Sequence, residues 1–407
     1  MTLGVGGSTI EAELEKMRSM REGVARIGDD ELRARVAKAQ SIMRREGIAA
    51  LHLDSSTSCL YFAGLRFKLT ERLHGVVIPA EGDPVYVSPA FEAERLRTMM
   101  RIPGEIRCWE EHESPTALVI EIVRDRGTPS GTIAVDPSTP FFTFDGLRRA
   151  GNSYSFVNGA VVTAACRMIK SPAEIALIRH AMALTLEVHK ATARILREGI
   201  TTTEVADFIS RAHLKLGTDA APNVSIVLFG EPTAYPHGVP YPQTLKSGDM
   251  VLVDIGATLH GYQSDLTRSY VFGEPNPRQR EIWGLEKRAT EAAFAAAQLG
   301  ATCESVDAAA RAVIEAAGFG PGYAVPGLPH RTGHGVGLDV HEEPYIVKGD
   351  RTPLAPGMCF SNEPMICIYG EFGVRLEDHV YMAQDGPHWF TPPSPSIDDP
   401  FGVGSSR

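Results

Sequence analysis

The chain has 407 residues, enough for two domains, and its 43% hydrophobic and 22% charged residues are those of an ordinary globular protein. A formal net charge of −10 without any long Lys/Arg run argues against a nucleic-acid partner or an anionic membrane surface. No stretch reaches the ~18 apolar residues of a membrane helix, and the opening residues, Gly-rich and then charged from Glu11, hold no apolar signal core, so cytoplasmic residence is the expectation.

In chain order, residues 11–48 place Leu32, Val36, Ala39, Ile42 and Met43 at helical spacing within dense charge and read as helices. An apolar strand follows at 49–54, then a β-hairpin over 76–88 turning at 81–84, helices at 91–100 and 116–126, and a strand at 132–135. Alternating strands and helices argue for an α/β domain over 1–168. A second domain is expected over 169–392. Ser171 can cap its first helix, with Pro172 in the first turn and Glu174 favouring the dipole; Gly199 closes it. Thr201 and Glu204 form a capping box for a helix ending near Leu216. Strands are expected at 224–229, 250–257 and 263–272, helical blocks at 277–298 and 304–317, and strands at 358–368 and 373–383. Each half of this domain then has helices followed by a strand pair, which suggests an internal two-fold repeat. Residues 393–407, rich in Pro, Ser and Asp, read as a tail that wraps the surface or frays. The six cysteines are scattered without CxxC spacing and read as buried thiols.

Asp254 ends an apolar strand, where an acid is costly unless paired or metal-bound. A turn at His260 and Gly261 would bring Asp265 beside it on an adjacent strand ~5 Å away. Two such carboxylates repel, and one keeps its proton unless a cation lies between them. The plain alternative makes Asp254 a strand-end acceptor and Asp265 a turn or cap residue. His334 sits in a Gly-His-Gly run that permits close backbone approach; a phosphate cradle is disfavoured because no Lys-Ser/Thr follows. If the segment from His334 to His341 is extended, the two imidazoles need not share a face, making His341 a substrate contact rather than a second ligand, or else an ordinary surface or core histidine. Glu363 and Glu377 flank a turn at 369–373, so a hairpin would bring them together, although Glu377 and Asp378 could simply pair with Arg375. Four carboxylates and an imidazole are the donor set of a hydrolytic di-metal centre.

In that order, Asp254, Asp265, His334, Glu363 and Glu377 resemble the ligand signature of the pita-bread metallopeptidases, which include methionine aminopeptidase, Xaa-Pro aminopeptidase and Xaa-Pro dipeptidase (prolidase). The spacing of 11 residues between the aspartates and 14 between the glutamates, the run from Gly333 to His341, and the helix entry at Lys170 are most similar to the proline-specific branch. The resemblance is specific over 165–390; residues 1–165 are only loosely similar to that branch's creatinase-like domain. It implies an N-terminal creatinase-like α/β domain, a C-terminal α+β pita-bread catalytic domain with internal pseudo-two-fold symmetry, and a homodimer. It further implies hydrolysis of the Xaa-Pro bond in proline-containing dipeptides or short peptides, with two divalent ions: Mn²⁺ first, with Co²⁺, Zn²⁺ or Fe²⁺ as alternatives. Carried over, Asp254 would bind one metal, Asp265 and Glu377 would bridge, and His334 and Glu363 would bind the second. A metal-bridging water would attack the carbonyl with Glu363 as proton shuttle; His341 would steady the oxyanion, His237 would face the substrate, and Arg375 would brace the ligands. One departure stands out. Where prolidases carry an arginine for the proline carboxylate this chain has Tyr345, and Arg351, or Arg66 and Lys68 of the N-terminal domain, are the candidate replacements. An Xaa-Pro aminopeptidase, or a pita-bread enzyme acting on a non-peptide amide or small zwitterion, therefore stays open. A metal-free binding module on this fold would lack one or more of the five ligands.

Overall fold

The computed structural model describes residues 2–222 and 224–406. The chain divides into two compact units, one of Ile27–Arg167 and one of Met168–Arg407 joined by Met1–Arg26. The opening residues thus pack with the C-terminal part, although the sequence had placed them in the N-terminal domain. The reason lies in α1 (Ile10–Lys16), whose Glu13 is buried and paired with Arg194 at 2.7 Å, while Leu14 and Met17 enter an apolar cluster with Leu184 and Val188. Burial pushes the Glu13 carboxyl up, but Arg194 and Lys16 more than offset this and hold it at about 2.

The unit of Ile27–Arg167 contains, in order, α2 (Asp29–Arg45), β1 (Ile48–Leu53), α3 (Thr57–Ala63), β2 (Gly75–Pro79), β3 (Val85–Pro89), α4 (Ala93–Met99), β4 (Glu105–Trp109), α5 (Pro115–Asp125), β5 (Gly131–Val135), α6 (Phe141–Ala150), β6 (Tyr154–Asn158) and α7 (Ala160–Arg167). Its strands make one mixed sheet in the order β4-β3-β2-β1-β5-β6. The expected hairpin is β2–β3, antiparallel with Val77 opposite Val85. Sequence patterning missed the two edge strands. Both are largely solvent-facing, and Arg107 or Ser155 in mid-strand breaks any apolar run.

The other unit continues with α8 (Pro172–Ile195), α9 (Thr202–Leu216), β7 (Val224–Phe229), β8 (Met250–Gly256), β9 (Thr258–Leu259), β10 (Tyr262–Gln263), β11 (Leu266–Val271), α10 (Pro277–Ala296), α11 (Cys303–Ala316), β12 (Gly333–Gly335), β13 (Glu342–Ile346), β14 (Cys359–Asn362), β15 (Met365–Ile368), β16 (Phe372–Arg375), β17 (Asp378–Ala383) and β18 (Gly386–Trp389). Both expected capping boxes form, at Ser171 with Glu174 and at Thr201 with Glu204. The pair α8–α9 precedes a sheet ordered β11-β8-β7, and α10–α11 precedes one ordered β13-β12-β14-β17-β18. This is the pseudo-two-fold arrangement expected.

Both halves contain a broken hairpin. The apolar runs at 358–368 and 373–383 are not continuous strands. β14 pairs with β17 and β15 with β16, and the interruption falls at Glu363 and Pro364 opposite Leu376 and Glu377. Proline has no N–H to continue the ladder. In the other half β8 pairs with β11, and β9–β10 continue as a short ribbon past Ala257 and Asp265. That ribbon turns through His260 (φ 48°) and Gly261 (φ 87°), a two-residue turn needing positive φ at both positions. The C-terminal tail packs down: Ser394 and Ile397 are buried, and Leu3 N–H donates to Asp398 O at 2.7 Å. Five cysteines are buried, Cys108 is exposed, and all are free thiols. Among the described residues no helix is long and apolar enough to cross a membrane.

Gly261→Val puts a β-branched side chain into the left-handed region. It is expected to lower unfolding stability in urea by about 1–2 kcal/mol. An unchanged urea midpoint would show that the turn tolerates another conformation.

Candidate metal centre

The hairpin breaks place the acids. Asp254 pairs across the ladder with Thr267, and Asp265 immediately precedes β11. Glu377 lies in the gap between β16 and β17. Thr267 joins the two halves: its hydroxyl donates to Glu377 Oε2 at 2.6 Å, and Glu377 N–H donates to Thr267 O at 3.1 Å. One ligand oxygen from each of Asp254, Asp265 and Glu377 lies within 4.8 Å of the others, and the same holds for donor atoms of His334, Glu363 and Glu377. Glu377 belongs to both of these triads, and a third, of Asp265, His334 and His341, adjoins them.

The electrostatics of this cluster are unfavourable as they stand. No N–H or hydroxyl donor among the described residues reaches Oδ1 of Asp254, Oδ1 of Asp265 or Oε1 of Glu377, although all three atoms are buried. Burial, then the neighbouring carboxylates, pushes Asp265 and Glu377 well above their ordinary range. Burial also raises Asp254, against the pull of Arg375. Arg375 Nη2 donates to Asp254 Oδ2 at 2.6 Å, its Nε to Thr267 Oγ1 at 3.1 Å, and its Nη1 to Pro236 O at 3.2 Å. One guanidinium against four acids leaves negative charge in excess.

His334 completes the set. Its Nδ1 lies 3.1 Å from Gly335 O; a carbonyl only accepts, so Nδ1 carries the proton. Nε2 then faces the acids, 2.9 Å from Glu363 Oε1 and 4.0 Å from Asp265 Oδ2. Burial raises the Glu363 carboxyl, but His334 beside it, when its Nε2 also carries a proton, outweighs this and holds the group well below the usual range. Ser361 Oγ donates to Glu363 Oε1 at 3.1 Å and accepts His334 N–H at 2.9 Å. Orphaned hard oxygens, an outward-facing imidazole nitrogen and one carboxylate common to both triads fit a pair of divalent cations.

The cluster forms the floor of a cavity of about 660 Å³. His237, His341 and Arg331 line it, with Val224, Ile226 and Pro329 as apolar wall. The two loop histidines come together. Residues after Gly335 bend back, and the His334 and His341 rings lie 3.9 Å apart between centroids. Burial and the neighbouring His334 lower the His341 imidazole to about 4, so it is neutral near pH 7. Tyr345 does not line the cavity; its ring lies under the Arg331 guanidinium, 4.5 Å from the centroid. Arg351 is 85% exposed, 3.5 Å from Glu304, and outside the cavity. Arg66 and Lys68 belong to the other unit. Sequence reasoning missed Thr267, Ser361 and Arg331. The usable signal was a cation immediately before the Thr-Gly-His-Gly run and a hydroxyl residue two positions from each of Asp265 and Glu363.

Residues 176–384 match the model of metallopeptidase family M24, and residues 35–169 that of the creatinase/prolidase N-terminal domain. A probable dipeptidase PepE of Mycobacterium tuberculosis is 38% identical over 355 residues, covering 86% of this chain and 92% of the relative. An Xaa-Pro dipeptidase of Lactobacillus helveticus is 32% identical over 345 residues, covering 84% and 92%. The crystal structure of the dipeptidase PepE from Mycobacterium ulcerans superposes with a TM-score of 0.84 at 35% identity, covering 90% of this chain and 97% of that one. The fold is therefore the pita-bread arrangement with a creatinase-like N-terminal domain, and the activity that of a metallopeptidase.

Raised carboxyls carry a stability signature. Without cations the folded protein keeps protons on Asp265 and Glu377 above the ordinary 3.8 and 4.5 at which the unfolded chain releases them. The folded state then binds more protons in that interval, and stability falls as pH rises through it. Chelator-stripped protein is expected to melt at lower temperature as pH is raised from about 4.5 to about 7. Saturating Mn²⁺ should reverse the slope, since cations displace those protons. Stripped protein that gains stability over the same interval would contradict the raised carboxyls.

Proposed function

We propose that this chain, which belongs to metallopeptidase family M24, hydrolyses the Xaa-Pro bond of dipeptides or short peptides, with dipeptides preferred. The observation that carries the reading is the cluster of orphaned acid oxygens beside a cavity lined by Asp254, Asp265 and Glu363, by His237, His330 and His341, and by an apolar wall. Val224, Ile226 and Pro329 offer a dry surface suited to a pyrrolidine ring. The similarity to the Xaa-Pro dipeptidase of Lactobacillus helveticus supports the same choice. Mn²⁺ as the native metal, a homodimer and a cytoplasmic setting belong to this reading.

Asp254, Asp265, His334, Glu363 and Glu377 would hold the cations, with Asp265 and Glu377 shared. When bound, the cations supply Lewis acidity, polarising a carbonyl and making water acidic enough to lose a proton near neutral pH. The protein's own groups do the rest. Glu363, oriented by Ser361, accepts a proton from the attacking water and passes it to the prolyl nitrogen. The water's oxygen ends on the new carboxyl group as the C–N bond breaks. His341, neutral, donates an N–H to the carbonyl oxygen as it gains charge. His237 contacts the substrate from the same cavity. Arg375 acts as a positioning residue: it steadies Asp254 and, through the Pro236 carbonyl, the turn that carries His237.

The test compares proline release from Ala-Pro with release of the N-terminal residue from Ala-Pro-Ala, on stripped protein reloaded with Mn²⁺. Faster cleavage of Ala-Pro is expected. Preference for the tripeptide would make the chain an Xaa-Pro aminopeptidase, and inactivity of metal-bound protein on both would point to a non-peptide amide. Glu363→Gln is expected to keep the circular-dichroism spectrum and lose about 10²–10⁴-fold in kcat. Near-normal turnover would remove Glu363 as proton carrier.

A further inference from the structure

We propose that the buried ion pair of Lys170 with Glu342 positions His341, so that the entry to α8 sets where that imidazole stands beside the metal ligands. The proposal deepens the peptidase reading above and rests on it, because it concerns the group assigned there to the carbonyl oxygen. His341 needs such a device. The residue is exposed, its ring lines the cavity, and among the described residues nothing hydrogen-bonds to that ring. One of its ring nitrogens lies within 4.8 Å of donor atoms of Asp265 and His334. A small displacement therefore takes the imidazole either onto a cation or away from the substrate, and the chain beneath it decides which. A misplacement of ~1 Å at a reacting group costs about 10²-fold in rate.

That chain is short and folded back. Glu342 opens β13 opposite Gly335, so residues 336–341 form a loop closed between ladder partners. Glu342 Oε1 lies 2.7 Å from Lys170 Nζ, and the two side chains are only 9% and 1% exposed. A charge so buried is costly without its partner, so each side chain fixes the other. Lys170 is itself held: its N–H donates to Gly357 O at 2.8 Å, and it precedes the Ser171 cap of α8. The Glu342 carboxylate also packs on the loop. A β-carbon at Gly337 would stand 2.4 Å from the same Oε1, so any larger residue there displaces the oxygen that meets the ammonium. The entry to α8 reaches the loop by a second route, through β10. Tyr262 OH donates to Glu174 Oε1 at 2.8 Å. Gln263 donates its N–H to Gly337 O at 2.8 Å and its Nε2 to Leu338 O at 3.0 Å. Lys170 and Glu174 thus both act on the segment that carries His341, one directly and one through the ribbon. Locked neighbours of this kind hold a reacting group in place. The helix entry at Lys170, which the metal centre leaves without a role, acquires one.

The experiment follows Ala-Pro hydrolysis by Mn²⁺-loaded wild type, Glu342→Ala, Glu342→Gln, Gly337→Ala, His341→Ala and the double variant of Glu342→Ala with His341→Ala, and measures Mn²⁺ affinity of each by equilibrium dialysis. Glu342→Ala is expected to lose roughly 10- to 100-fold in kcat, with KM and Mn²⁺ affinity nearly unchanged. Glu342→Gln keeps an oxygen for the ammonium and should recover part of the loss. In the His341→Ala background Glu342→Ala should cost little more, because the pair acts through that ring. Gly337→Ala keeps both charges and displaces the oxygen, so it should lose turnover in the same way, and it carries the test if Glu342→Ala does not fold. Losses that multiply in the double variant would overturn the proposal. So would Mn²⁺ affinity that falls as far as turnover, or wild-type kcat in both Glu342→Ala and Gly337→Ala. The peptidase reading is judged separately: it fails if wild type does not cleave Ala-Pro, and its use of His341 fails if His341→Ala keeps wild-type kcat. In either case the imidazole signal of His341 in the nuclear magnetic resonance spectrum of Zn²⁺-loaded protein, identified by its loss in His341→Ala, still decides the positioning. That signal is expected to move in Glu342→Ala and Gly337→Ala, and a signal unmoved in both would overturn the proposal.

Discussion

Asp254, Asp265 and Glu377 bring carboxylate oxygens within 4.8 Å of one another, each also has a buried oxygen that no N–H or hydroxyl among the described residues satisfies, and much of this unit is organised around that juxtaposition. Left alone, such a cluster relieves its repulsion by keeping protons, which is why burial and mutual charge push two of the acids far up. A pair of divalent cations removes the same repulsion and leaves the acids ionised. The protein does not neutralise the cluster from within: Arg375 donates to only one of the three acids, Asp254, and otherwise to Thr267, the Pro236 carbonyl and the Met365 sulfur.

The scaffold creates this juxtaposition with two interrupted hairpins. Where β8–β11 gives way to β9–β10, Asp265 is released from the ladder; where β14–β17 gives way to β15–β16, Glu363 and Glu377 are released. A residue at a ladder break can turn its side chain toward the opposite half without sacrificing a strand hydrogen bond. The bond from Thr267 to Glu377 then couples the halves at the centre of the pseudo-two-fold. Apolar clusters beneath each sheet supply the rigidity. Preorganised donors of this kind gain more from position than from any single contact.

Much of the architecture could be read from sequence because the signals are local. The Ser171 and Thr201 capping boxes, the fully buried seven-residue β8, and the His260–Gly261 turn each follow from residue chemistry within a few positions. The pairing of Asp254 with Asp265, and of Glu363 with Glu377, was visible because a hairpin converts sequence spacing into proximity. What escaped depends on tertiary context. β4 and β6 carry polar residues because they lie at sheet edges. The fold-back that sets His341 against His334 follows no periodicity. The opening helix joined the C-terminal unit through long-range contacts, the Glu13–Arg194 ion pair and the packing of Leu14 and Met17.

The most direct measurement is the metal content of stripped protein after equilibrium dialysis against Mn²⁺, counted by elemental analysis on wild type and on Glu377→Ala. Wild type should hold about two ions per chain, and Glu377→Ala, which removes the carboxylate common to both triads, should weaken both. A folded wild-type protein that binds no divalent ion, or a Glu377→Ala variant that still binds two with unchanged affinity, would contradict a centre built on shared carboxylates.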